Sequence, residues 1–169
     1  MRTNTRSDSQ FHKASVLQAL VVGVLIHRAL LRHFLYFELG EKENLLKEAE
    51  KARDEWETIV AAYPKVKPQY YAHLAICYAL EGDREQVESI TPKIRALTET
   101  VNWKFRRQAD CELKIAVAYL VLGDHEKAIE ILQDASRLPS PIFVNRELDL
   151  WFIFDRLRGN PRFDKLLED

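Results

Sequence analysis

Two kinds of hydrophobic pattern take turns along the chain. One is apolar on nearly every side: YYAHLAICYALE leads up to Gly82 and CELKIAVAYLVL up to Gly123. The other is amphipathic. After Gly40 the apolar residues are Leu45, Ala49, Ala52, Trp56, Ile59, Val60 and Tyr63, and after Gly123 they are Ala128, Ile129, Ile131, Leu132 and Ala135. Spacings of three and four draw a single stripe on a helix. A helix apolar all round is one enclosed by other elements. The polar side of the first amphipathic run carries Glu43–Lys47, Lys51–Glu55 and Arg53–Glu57, opposite charges four apart that support a solvated helical face. The pattern predicts an all-α chain of antiparallel helical hairpins.

The junctions repeat. YFELGEKE (Tyr36–Glu43), YALEGDRE (Tyr78–Glu85) and YLVLGDHE (Tyr119–Glu126) share a tyrosine, a glycine, an acid and a final glutamate, and their glycines lie 42 and 41 residues apart. A glycine ends a helix cheaply because it takes the left-handed backbone without a Cβ penalty. The acid after it can cap the next helix, Asp83 with Gln86 fitting a capping box, and the later glutamate favours the positive helix end. Pro92 predicts a kink or break in the second hairpin's return helix, and Leu138-Pro-Ser-Pro141 a break before a closing segment. The expected organisation is a disordered tail at 1–11, a repeat domain at 12–142 with hairpins at about 12–64, 68–100 and 102–138, and a capping segment at 143–169.

These residues resemble the tetratricopeptide repeat family, with a small residue seven before the turn glycine, an aromatic four before it and a small residue five after it. Around Gly123 they are Ala116, Tyr119 and Ala128; around Gly82, Ala75, Tyr78 and Val87; around Gly40, His33, Tyr36 and Leu45, with Arg32 where an apolar residue is expected. The period is longer than the family's roughly 34 residues. The tail FDRLRGNPRFDKLL, Phe154–Leu167, is similar to the segment closing many bacterial arrays of this family, through Asp155, Leu157, Arg158, Pro161, Arg162, Phe163 and Leu166-Leu167. Such arrays are often joined to signalling proteins, which implies a bacterial regulatory setting.

The resemblance implies a short superhelix whose concave face is built from the first helix of each hairpin. The partner-binding groove expected there comprises Leu30, Phe34 and Phe37 from the first unit, Ala72, Ile76, Ala79 and Leu80 from the second, and Leu113, Val117, Leu120 and Val121 from the third. His27 and Glu38, Gln69, and Asp110 complete the positions on that face. The list is mostly apolar and lacks the Lys, Arg and Asn of relatives that clamp acidic tails, so a helical or apolar protein segment is the expected occupant.

Composition narrows the chemistry. The chain has 169 residues, 47% apolar and 30% charged, with a net charge of −1. That suits one folded domain and argues against nucleic acid as the main partner. Trp103-Lys-Phe-Arg-Arg107 mixes aromatics and cations but reads as a helix start capped by Asn102. Five glycines give no phosphate-cradling loop. Cys77 and Cys111 form no metal or disulfide pattern. His73 and Cys77, four apart, share a helix face but have no companion ligand pair. No nucleophile, base and orienting group converge, so no catalytic residue, metal, cofactor or small-molecule substrate is expected, and the chain is read as not an enzyme.

Val16–Ile26 is apolar but for Gln18, yet His27, Arg28, Arg32 and His33 interrupt it before the roughly 20 apolar residues of a span. It reads as a buried helix in a cytoplasmic protein, with an interfacial membrane anchor over residues 14–37 as the alternative. The expected function is a non-catalytic scaffold for protein–protein interaction; the alternative is a self-associating regulatory subunit. Self-association predicts that Ile76→Glu or Val117→Glu yields a folded monomer.

Overall fold

The computed structural model describes residues 39–62, 68–100, 105–138, 148 and 152–168. The chain divides into two compact units, Met1–Lys42 and Glu43–Asp169. The expected tail, the Val16–Ile26 helix, Leu30, Phe34, Phe37, the Asn102 cap and Trp103 lie outside the described residues. The described residues form six α-helices and one 3₁₀ helix: α1 (Lys42–Ala62), α2 (Pro68–Leu80), α3 (Arg84–Thr100), α4 (Phe105–Val121), α5 (His125–Ser136), a 3₁₀ turn at Phe152–Leu157, and α6 (Pro161–Glu168). Among the described residues the fold is all-α, a helical-repeat arrangement with α2–α3 and α4–α5 as hairpins.

The two hinges are the same object. Gly82 N–H donates to Ala79 O at 3.0 Å and Asp83 N–H to Tyr78 O at 2.9 Å; Gly123 N–H donates to Leu120 O at 3.0 Å and Asp124 N–H to Tyr119 O at 2.9 Å. This doubled bond to the last turn is the Schellman cap, and it needs a left-handed residue at the glycine. Gly82 and Gly123 have φ of 81° and 79°. The acid then opens the next helix: Asp83 Oδ1 accepts from Gln86 N–H at 3.1 Å, and Asp124 Oδ1 from Lys127 N–H at 3.2 Å. In the first unit, Gly40 has φ 69° and its carbonyl accepts from Lys42 N–H at 2.9 Å.

The core follows the two patterns. Helices α2 and α4 lie side by side, each against its own return helix, and α3 also meets α4. Every residue from Cys111 to Leu120 is buried, including Glu112 and Lys114. Helix α3 offers a stripe instead, Val87, Ile90, Thr91, Ile94 and Thr98. Ala75, Val87, Ala116 and Ala128, the positions the resemblance marks as small, are all 0% exposed, which lets the backbones of each hairpin approach closely. Each fully buried Ile, Leu or Val contributes about 1.5–3 kcal/mol.

Pro92 does not end α3, which runs on to Thr100. Both Pro92 and Glu88, whose carbonyl loses its usual donor, are exposed, so water can satisfy the orphaned oxygen. Thr91 Oγ donates to Val87 O at 2.8 Å within the same turn. Proline opens two other helices at their first position, Pro68 and Pro161, where no N–H is needed.

Candidate interaction surfaces

The face expected to bind a partner lies along α2 and α4. Ala72, Ile76 and Val117 are 0% exposed, and Ala79, Leu80, Leu113 and Leu120 are also buried. Val121, at the end of α4, is half-buried. An apolar residue at these positions satisfies both a groove and a core, and in this chain most of them are inside. The polar positions behave differently. Asp110 is ion-paired with buried Lys114 one turn on, and Gln69 Oε1 is buried with no hydrogen-bond partner among the described residues. An unsatisfied buried acceptor costs about 1–3 kcal/mol.

The His73–Cys77 pair belongs to packing. The His73 ring stacks on Trp56 at 5.1 Å between centroids with planes 12° apart, and Tyr70 lies 5.3 Å from Trp56 on α2 as well. Burial pushes the Cys77 thiol up to about 12, and the Cys111 thiol likewise to about 12. Burial therefore disfavours the free thiolate at both cysteines. No group of three or more His, Cys, Asp or Glu side chains suited to a metal occurs among the described residues. Among them also, no helix is long and apolar enough to cross a membrane.

A seam of arginines, invisible in the sequence pattern, ties neighbouring elements at the hinges. Arg53 of α1 reaches Glu81, one residue before Gly82, at 2.6 Å, and also lies 3.8 Å from Glu57. Glu57 in turn accepts from Tyr78 Oη at 2.9 Å. Arg84, at the start of α3, reaches Asp124 in the following hinge at 2.9 Å. Arg162 of α6 reaches Glu126 at 2.8 Å. Burial raises the Glu81 carboxyl above its usual range, with Arg53 opposing that shift. The Arg84 hydrogen bond, followed by the Lys127 N–H, holds the Asp124 carboxyl below the usual range. The sequence carries half of the signal, the hinge acids; it does not show which arginine stands opposite each.

Two concavities lie beside these ties. One, about 350 Å³, runs between α1 and the α2–α3 hairpin past Val60, Tyr71, Leu74, Tyr78, Ile90 and Lys93. The Lys93 ammonium sits 4.3 Å over the Tyr71 ring. The other lies where α6 meets α5. The closing segment is fixed there by its own chemistry. Asn160 Oδ1 caps α6 by accepting from Arg162 N–H at 3.0 Å, and Phe163, 0% exposed, packs 6.4 Å from buried Phe154.

Residues 110–137, the core of the α4–α5 hairpin, match the tetratricopeptide repeat family. No curated protein and no solved structure matches the chain. The match covers the unit with the full set of small and aromatic positions, and repeats of this family are generally non-catalytic protein-interaction modules.

Proposed function

We propose that the chain is a non-catalytic scaffold that holds a helical or apolar segment of a partner protein along its α2–α4 face. The observation that supports this reading is the duplicated hinge, with the same pair of Schellman bonds at Gly82 and Gly123, the second of them in the hairpin that matches the tetratricopeptide repeat. Stacked hairpins of this kind use their first helices for recognition. Ala72, Ile76, Ala79, Leu80, Leu113, Val117 and Leu120 are covered within the chain, so docking involves exchange of one apolar cover for another. Half-buried Val121 is the point of first contact, and the partnerless oxygen of Gln69 is the acceptor that a partner N–H or O–H satisfies.

The test uses the wild-type chain and Val121→Glu, which places a charge where water already reaches. A purified protein captured by the wild type should bind at least tenfold more weakly to the variant in titration calorimetry, while circular dichroism of the variant stays unchanged. Equal binding by a folded Val121→Glu chain removes this face from the reading. Light scattering of the wild type, read against concentration, distinguishes a second copy of the chain from a different partner.

A further inference from the structure

The concavity between α5 and α6 has a different chemistry from the apolar face. Gln133, Ser136, Arg137, Arg162, Lys165 and Leu166 line about 380 Å³ there. Three of the six are cations and none is an acid. Arg162 is held in place from behind: Nη1 donates to Glu126 at 2.8 Å and Nη2 to Gln133 Oε1 at 2.7 Å. A guanidinium has five N–H donors in a fixed fork, so this one is oriented and still has donors to give. Arg137 uses one donor on Asp134 at 2.7 Å and its side chain is 76% exposed. Lys165 is exposed and has no ion pair with any described residue. Glu126 and Asp134 each pair with one of the two arginines, and Lys165 adds a third positive charge to the lining. Buried Leu166 supplies an apolar wall.

We propose that this notch binds an acidic segment of a protein partner, seating a carboxylate between Arg137, Arg162 and Lys165 with a neighbouring apolar side chain against Leu166. Three cationic side chains lining one concavity suit a carboxylate through charge-assisted hydrogen bonds. The volume exceeds what a lone small anion fills, and the apolar wall gives a peptide something a free ion cannot use. The site is built from α5 and α6, and so is separate from the face along α2 and α4; either can fail without the other.

The probe is a labelled peptide of Glu, Asp and Leu followed by fluorescence anisotropy. Saturable binding by the wild-type chain is expected, weakened by salt as exposed charge pairs are screened. Lys165→Glu and Arg137→Glu, both at exposed positions that spare the Arg162 ties, should each weaken it at least tenfold. Lys47→Glu, exposed on α1, should change it less than twofold. Absence of saturable binding, unchanged binding in both notch variants, or an equal loss in Lys47→Glu overturns the proposal.

Discussion

One methyl group separates glycine from alanine at each hinge, and its cost here is purely conformational. A Cβ built on Gly82 or Gly123 meets nothing within 4 Å, so Gly123→Ala should lose about 1–2 kcal/mol through its left-handed backbone alone. Gly123→Asn should lose less, because asparagine tolerates that region. Urea denaturation of the three chains measures both. The next residue adds a charge-dependent part. Asp124 has a folded-state pKa below its unfolded one. Its contribution is therefore complete above the unfolded value and disappears as pH falls through the folded value. Asp124→Ala should cost about 1 kcal/mol at neutral pH from the lost cap, and the difference should shrink steadily below about pH 4. Glycine and acid were legible in the sequence because a Schellman cap and an N-cap are local, made within six residues. Arg84 was not, because its partner is forty residues away and is chosen by how hairpins stack.

At the scale of one helix, pattern predicted existence and type but not every boundary or exposure. Pro92 was expected to kink or break α3, and the helix continues past it to Thr100, with Pro92 and Glu88 both exposed to water. Pro92→Ala restores the donor to the Glu88 carbonyl and should stabilise the chain by about 1–3 kcal/mol; a fall in thermal midpoint instead would mean that the proline's shape is part of the α3–α4 fit. Helix α1 depends on one large anchor. Only Leu45, Ala49 and Trp56 of its twenty-one residues are buried. Trp56→Ala removes the stack on His73 and should cost about 3 kcal/mol. Hydrogen exchange should quicken in α1 while α4 and α5 keep their protection.

For the molecule as a whole, burial changes what a charge on the α2–α4 face would do. Ile76 and Val117 are 0% exposed, so Ile76→Glu and Val117→Glu should each cost several kcal/mol through desolvation, giving unfolded chain by circular dichroism rather than the folded monomer that the sequence alone suggested. Sequence showed that these positions are apolar; exposure is a property of the assembled chain and was not written there. The same holds for the tie between hairpins at Glu112, buried in α4, which receives Arg95 Nε and Nη2 at 3.0 and 2.8 Å. Arg95→Ala leaves that carboxylate without its two charged donors and should cost about 1.5–3 kcal/mol, read as a lower denaturation midpoint.

The sameness of the two hinges has a consequence for how such a chain can change length. The block from Asp83 to Gly123 begins just after one hinge glycine and ends on the next, so a tandem copy rejoins as Gly-Asp at both seams. Neither splice site would have to invent a turn. The copied Arg84 would again face a hinge aspartate one period on. Growth by that whole block therefore leaves the hinge bonds, the caps and the Arg84 tie intact at every junction.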